Sequence, residues 1–163
     1  MLPIDHFIRA AEKFPDKTAV FGRNFDISYN DLLAKVNALA FALQETDPNP
    51  SGCVGICAFN TFEHLLSWLA VLAAGKIWIP LNPRNGSEEL KRIINAVQPS
   101  IIIVDSDCLT KVNPGSAKIW IGAKLGKNGM GLPTVSQLIK KSFGQEPNRP
   151  YLTLDDIQAI KFT

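Results

Sequence analysis

A glycine-rich run at residues 122–131 has the composition of a phosphate-binding loop. It holds four glycines and a Gly126-Lys127 pair. A Walker loop needs four residues between its glycines, and a Ser or Thr after its lysine to reach magnesium. Here three residues separate Gly122 from Gly126, and Asn128 follows the lysine. The run also opens no strong helix whose N–H groups would converge on a phosphate. The pattern therefore favours a flexible surface loop over a nucleotide site.

The cysteines and histidines do not have the spacing of a metal or nucleophile site. Cys53 and Cys57 lie four apart on a predicted strand, so their side chains share a face about 13 Å apart, too far to share a metal. We interpret them as small core residues, since free cysteine is commonly buried; Cys108 has no partner nearby in sequence. His6 and His64 lie on different predicted helices without a nucleophile motif beside them. We predict that both histidines lie on a helix surface or at a helix cap.

Asp155 and Asp156 are the remaining candidates for acid–base chemistry. Adjacent residues on an extended chain point to opposite faces, so these two carboxylates cannot share a proton. A role in a turn or at the start of a strand fits them better. From the residue types and spacings alone, no catalytic constellation is visible.

Composition limits the class of protein. The 163 residues are 46% hydrophobic and 20% charged with a net charge of +2, which is typical of one globular domain and not of a polybasic nucleic-acid binder. Charged side chains near the amino terminus argue against a secretory leader. The longest apolar stretch, residues 65–75, is shorter than the roughly 20 residues that span a bilayer. Three cysteines, an odd number, fit a reducing compartment, and we predict a cytoplasmic protein without a transmembrane segment.

Apolar periodicity predicts alternating helices and strands. Two short β-type runs at 18–21 and 25–28 flank Gly22-Arg23-Asn24 and predict a hairpin. The nearly continuous apolar runs "CVGICAF", "IWIPLNP" and "SIIIVD" predict strands that are covered on both faces. The predicted helices are one capped by Asn30 or Ser28, one that begins after Thr61 and ends at Gly75, and one capped by Ser87 that ends before Pro99.

Strand, helix, strand, helix, strand is the βαβ pattern, and its short connections require a parallel sheet. The predicted fold class is α/β, a three-layer Rossmann-like parallel sheet flanked by helices. Residues 106–154 form a loop-rich, variable segment, with "KIWIG" as an edge strand, a short helix opened by Thr134 and a linker-like stretch at 144–154. Residues 155–163, "DDIQAIKFT", alternate apolar and polar side chains and predict a buried terminal strand.

Several sequence boxes, taken in order, resemble the adenylate-forming (AMP-binding) enzymes. That superfamily includes acyl-CoA synthetases, luciferases and the adenylation domains of peptide synthetases. "FPDKTAVF" and then "ISYNDLLAKVNALAFAL" are similar to its opening, with residues 28–32 matching a (T/S)Y-x-(E/D)-L box. "WLAVLAAGKIWIPLNP" resembles its second core box, including Ala74-Gly75 and the turn at 80–83. The resemblance covers residues 1–105 and resumes at 155, although Lys76 and Trp78 stand where small or aliphatic residues are commoner.

The resemblance implies both a fold and an activity. Residues 1–163 would be an incomplete N-terminal subdomain of the acyl-CoA synthetase-like fold, similar to long-chain fatty-acid–CoA ligases, that stops just before the phosphate loop. The implied reaction uses ATP and magnesium to activate a carboxylic or fatty acid as an acyl-adenylate, with coenzyme A as the expected thiol acceptor. In the family, the phosphate loop follows a strand of the type D-D-(L/I)-A-A-I-x-(Y/F)-T. That strand matches residues 155–163, so Thr163 is implied as the first residue of the ATP phosphate loop.

No catalytic residue and no metal ligand is implied within the chain, so we expect the 163 residues alone to be inactive and to bind no cofactor. The implied partners are the remainder of the polypeptide and the acid substrate. A second copy bound through exposed apolar surface is a further expectation. Two alternatives remain open. One is a stand-alone Rossmann-like nucleotide-binding domain, which the lack of a G-x-G-x-x-G run disfavours; the other is a non-catalytic interaction module.

Overall fold

A computed structural model describes residues 1–123 and 131–162 of the chain. From residue 29 to residue 104 helices and strands alternate, as the periodicity predicts. The helices are α1 (Pro3–Lys13), α2 (Tyr29–Thr46), α3 (Phe62–Ala73), α4 (Ser87–Val97) and α5 (Val135–Ser142), with a 3-10 helix at Ser106–Lys111. The strands are β1 (Thr18–Phe21), β2 (Asp26–Ser28), β3 (Cys53–Cys57), β4 (Ile77–Pro80), β5 (Ile101–Val104) and β6 (Lys118–Ile121).

The central sheet is parallel and has the strand order β4-β3-β5-β6. Gly55 lies at the centre of β3, with Ile79 of β4 on one side and Ile102 of β5 on the other. Strand β6 pairs with β5 in parallel and occupies an edge, as predicted for "KIWIG". Strands β1 and β2 form a separate antiparallel hairpin. The predicted α/β class with a parallel sheet flanked by helices is confirmed.

The pleat of the strands divides the core into two layers, because successive side chains point to opposite faces of a sheet. On one face, Val54, Ile56 and Ile103 pack in a cluster with apolar residues of α2, α3 and α5. On the other face, Ile79 and Ile102 pack against α4 and the 3-10 helix. Apolar side chains on both faces explain why β3 and β5 are nearly continuous apolar runs. The result is the predicted three-layer arrangement.

Most of the predicted helix caps are confirmed. The Ser28 and Thr61 side chains accept hydrogen bonds from the Asp31 and His64 backbone N–H groups at the starts of α2 and α3. Thr134 forms a capping box with Gln137 at the start of α5. The prediction of Ser87 as the cap of α4 was wrong. Gly86 holds that position with an extended backbone, so Ser87 is already helical.

The prediction of a buried terminal strand at 155–163 was also wrong. Of residues 155–162, which the structure describes, Ala159 alone pairs with the sheet, through a parallel bridge to Trp78 of β4. Because β4 is the only described strand beside it, the segment is covered from one side, and Ile157 is 61% exposed. Large exposed apolar side chains in and just before this segment are Tyr151, Leu154, Ile157 and Phe162. Association of two copies through this surface stays a prediction.

Two predicted features fall partly or wholly outside the described residues. The glycine-rich loop at 122–131 is described only at its ends, and Thr163 is not described. None of the helices described has the length and apolar character needed to cross a membrane.

Candidate functional site

The carboxyl edge of the parallel sheet is the candidate site, since ligands of open α/β sheets bind outside the carboxyl ends of the strands. Here β3 continues into Ala58-Phe59-Asn60, and β4 continues into Leu81-Asn82-Pro83-Arg84. These two segments line an open cleft of about 370 Å³. The Asn82 side chain accepts the Arg84 backbone N–H at 3.0 Å, and Lys111 Nζ donates to the Pro83 carbonyl at 3.1 Å. These bonds fix one wall of the cleft.

Asp105 joins three strand ends at this edge. It directly follows β5 and is 3% exposed. Its Oδ2 accepts the Phe59 N–H at 3.0 Å and its Oδ1 accepts the Ala123 N–H at 2.9 Å. One carboxylate therefore ties the segments after β3 and β6 to the end of β5. The sequence interpretation missed this residue, although an acid directly after the apolar run "SIIIV" was a visible signal.

We expect Asp105→Asn to lower the free energy of unfolding by about 2 kcal/mol, because an amide has one acceptor oxygen and one of the two N–H donors would lose its partner. Chemical denaturation monitored by circular dichroism measures the difference. Asp16→Asn, at an exposed acid in the turn before β1, is the control and should change stability by less than about 0.5 kcal/mol. Equal effects of the two substitutions would contradict this role for Asp105.

The terminal segment runs beside β4 in the direction of the carboxyl edge. The Trp78 N–H donates to the Gln158 carbonyl at 3.0 Å, and the Ile160 N–H donates to the Trp78 carbonyl at 3.1 Å. These two bonds on either side of Ala159 are parallel strand pairing, so the chain runs in the same direction as β4. The Lys161 ammonium lies 5.7 Å from the centre of the Trp78 ring. Residues after Ala159 thus point toward the end of the sheet at which β4 terminates.

The other sequence candidates are not brought together into a reactive group. Asp155 and Asp156 lie in a turn as predicted, where Asp156 accepts the Thr153 N–H at 2.6 Å and the Thr153 hydroxyl at 2.9 Å. These hydrogen bonds lower the pKa of Asp156. In the first turn of α3, His64 Nδ1 lies 3.1 Å from the Phe59 carbonyl oxygen, and His6 is exposed on α1. Neither position offers the acid–base partner that catalysis needs.

Two of the cysteines meet in the core near this edge. Cys57 at the end of β3 and Cys108 in the 3-10 helix are both buried, and their thiols are neighbours. Burial, together with the neighbouring Cys108, raises the pKa of Cys57 to about 12. Burial also raises the pKa of Cys108. Both thiols are therefore protonated at neutral pH and poor nucleophiles. The interpretation of Cys57 as a core residue is confirmed, whereas Cys53 is only half-buried.

The described residues at this edge do not gather the carboxylates of a metal site. The best-placed carboxylate, Asp105, is already occupied by two backbone N–H groups. Among residues 1–123 and 131–162, no group of three or more His, Cys, Asp and Glu side chains could hold a metal ion. What this edge does provide is a rigid end of the sheet, to which the terminal segment is directed.

The family is shown by comparison with known proteins. Residues 7–163 match the model of the AMP-binding enzyme family. The chain therefore belongs to the AMP-binding enzymes, the adenylate-forming family that its sequence boxes resemble.

Curated relatives at about one-third identity include much longer synthetases and synthases. The PKS-NRPS hybrid synthetase cheA of Chaetomium globosum is 37% identical over 131 residues, which is 80% of this chain and 3% of that protein. Bacitracin synthase 1 of Bacillus licheniformis is 31% identical over 111 residues, 68% of this chain and 2% of that protein. The chain thus spans only a few per cent of the length of these relatives.

Solved structures of related enzymes share the fold. Coronafacic Acid Ligase from Pectobacterium brasiliense superposes with a TM-score of 0.84 at 21% identity, over 99% of this chain and 33% of that one. An artificially fused Adenylation-PCP di-domain NRPS from Klebsiella oxytoca gives a TM-score of 0.80 at 24% identity, over 98% and 28% of the two chains. A benzoate CoA ligase from Burkholderia xenovorans also gives 0.80, at 16% identity, over 96% and 31%.

Proposed function

We propose that this chain is the N-terminal part of an adenylation domain in an acid–thiol ligase. The whole domain activates a carboxylic acid with ATP as an acyl-adenylate and then transfers the acyl group to a thiol. Family membership supports the reaction class. The observation that carries the role of this part is the parallel pairing of residues 158–160 with Trp78. That pairing directs the chain to the edge of the sheet where α/β enzymes bind their ligands.

In this proposal the remainder of the polypeptide supplies the nucleotide-binding groups. Thr163 is the first residue of the phosphate loop, and residues after it contact ATP and magnesium. Bound magnesium and cationic groups stabilise the charge that develops at the leaving pyrophosphate. In this proposal the described residues hold that loop against the sheet and provide no ligand to the phosphates. A cytoplasmic location, expected from the composition, belongs to the same proposal.

A carrier-protein thiol is the acceptor that the curated relatives favour. These relatives include bacitracin synthase 1 and a hybrid PKS-NRPS synthetase. Coenzyme A, the acceptor expected from the sequence boxes, is the second candidate. A benzoate CoA ligase with the same fold favours it, but at 16% identity the similarity extends to the fold alone. The substrate is accordingly proposed as an amino, aryl or fatty acid, all of which present a carboxylate to ATP.

We expect the full-length protein to catalyse acid-dependent exchange of labelled pyrophosphate into ATP with at least one acid of a panel of amino, aryl and fatty acids. The 163-residue chain alone should show no exchange, with circular dichroism used to check that it is folded. Thioester formation on coenzyme A and on a carrier protein is then compared with the active acid. A full-length protein that is inert toward every acid would contradict the proposed reaction. Pyrophosphate exchange by the 163-residue chain alone would contradict the proposal that the nucleotide-binding groups lie in the remainder of the polypeptide.

Titration calorimetry separates this proposal from the stand-alone nucleotide-binding domain. An independent Rossmann-like domain would bind ATP with micromolar affinity as the 163-residue chain. A domain that lacks its phosphate-binding residues should give no binding heat at the same concentrations. Full-length protein provides the positive control in the same buffer.

A further inference from the structure

Residues 145–150, here called the strap, have no regular secondary structure but are firmly bound to α2. The Gln44 side chain contacts the backbone of Asn148 in both directions: Nε2 donates to its carbonyl at 2.6 Å, and Oε1 accepts its N–H at 2.9 Å. Gln44 Nε2 also donates to the Ala74 carbonyl at 3.1 Å. One amide therefore joins the strap to the end of α3. The sequence pattern had indicated only a linker-like stretch here.

Asn37, two helical turns before Gln44 on the same face of α2, also binds the strap. Asn37 is 5% exposed, although asparagine is usually a surface residue. Its Nδ2 donates to Glu146 Oε2 at 2.7 Å, and its Oδ1 accepts Arg149 Nη2 at 2.8 Å. Both ends of this buried amide are thus satisfied by strap side chains. The strap therefore accounts for an otherwise costly polar group in the core.

The last residue of the strap packs on the turn that leads into β4. Gly75 has a φ of +73°, and a methyl group added there would collide with the ring of Pro150. The turn and the proline are thus in direct contact across 75 positions of sequence. This contact places the end of the strap next to the start of the strand that later pairs with the terminal segment.

Residues 151–157 connect the strap to the residues that pair with β4. Leu152 packs on the main apolar cluster, and residues 153–156 form the turn that Thr153 and Asp156 close. Residues 158–160 then pair with Trp78. The path is thus held near β4 at two places: Pro150 contacts the turn before that strand, and Ala159 forms a bridge with Trp78 in it. The strap sets where this path begins.

We propose that Gln44 and Asn37 are positioning residues for the nucleotide site. By binding the strap, they fix the register of residues 158–162 beside β4 and hence the place from which the phosphate loop departs. The claim that these residues set the register of the terminal segment is independent of any activity. The claim that they affect ATP binding rests on the proposed function.

The test uses full-length protein carrying Gln44→Leu, which keeps the size of the side chain and removes its hydrogen bonds. Amide hydrogen exchange is followed in peptides that cover residues 157–162. We expect hydrogen exchange of the Ile160 amide to be roughly tenfold faster, because loss of the contacts to the strap lets the pairing with Trp78 open more often.

In the pyrophosphate-exchange assay we expect the KM for ATP to rise roughly tenfold with a smaller change in kcat. Asn95→Leu, an exposed amide on α4, is the matched control and should change neither quantity.

Asn37→Ser is the second variant, in case Gln44→Leu does not accumulate as folded protein. Unchanged amide hydrogen exchange at residues 157–162 in a folded variant would overturn the inference. Faster amide hydrogen exchange with an unchanged KM for ATP would overturn the link between the strap and the nucleotide site. A wild-type protein without pyrophosphate exchange would overturn the proposed function and that link together, whereas the hydrogen-exchange comparison would still decide whether the strap sets the register.

Discussion

Replacement of Gly75 by alanine is expected to lower the free energy of unfolding by about 3 kcal/mol, from two separate causes. A left-handed backbone at φ +73° costs a non-glycine residue about 1 kcal/mol. The added methyl group also collides with the Pro150 ring, and such overpacking costs about 2 kcal/mol. Urea denaturation of the wild-type and variant proteins measures the sum.

Two further variants separate these causes. Gly115 has a φ of +57° with no atom within 4 Å of an added methyl group, so Gly115→Ala should show the backbone cost alone. Pro150→Ala removes the ring atoms that the methyl group meets, so the double variant Gly75→Ala with Pro150→Ala should be more stable than additivity predicts. A strictly additive double variant would show that the turn and the strap are not in contact.

Replacement of Lys76 by methionine is expected to destabilise the protein by about 3 kcal/mol, because the lysine is the centre of a buried polar cluster. Its side chain is 1% exposed and lies 3.3 Å from the Asp47 carboxylate. Its Nζ donates to the carbonyls of Asp47 at 2.6 Å and Asn49 at 2.8 Å. Methionine fills similar space but leaves these acceptors without their donor. Lys91→Met, on the exposed face of α4, is the control and should change stability by less than about 0.5 kcal/mol.

The same substitution should change the pH dependence of stability. Burial tends to raise the pKa of Asp47, but hydrogen bonds from Ser100 and Asn49 and the charge of Lys76 outweigh it, and the pKa is lowered. The stability that Asp47 contributes is therefore present above its unfolded pKa of about 4 and is lost as the pH falls through the lower folded value. Without Lys76 that folded pKa rises, so the difference between wild type and Lys76→Met should shrink between about pH 5 and pH 2. A constant difference across this range would contradict the coupling.

Lys76 illustrates how far the sequence could be interpreted. Its position in an otherwise apolar box marked it as unusual, but nothing nearby in sequence indicated its partners. Asp47, Lys76 and Ser100 precede β3, β4 and β5, and they meet because parallel strands bring all three connections to the same edge of the sheet. The chain thus has a buried charged cluster at the amino edge, opposite the edge of the candidate site. Its role is to join three connections where burial would otherwise leave carbonyl groups unpaired.

Local pattern was sufficient where a residue's role depends on its neighbours in sequence. Ser28, Thr61 and Thr134 cap their helices because a side-chain oxygen needs only an N–H group three residues away. Ser87 shows the limit of that rule, since Gly86 before it can hold the same extended cap conformation. The apolar alternation in "DDIQAIKFT" likewise predicted a strand but could not show that one strand alone would lie beside it.

The sequence by itself determined the α/β class, the order of helices and strands, and membership of the AMP-binding family, because apolar periodicity and the family boxes are written in consecutive residues. Only the tertiary structure decided which polar groups satisfy one another: Asp105 with Phe59 and Ala123, and Gln44 with Asn148. The physical reason is that a buried polar group must be paired, but its partner can come from any part of the chain that the fold brings within about 3 Å. The path of the terminal segment toward the candidate site follows from such pairings.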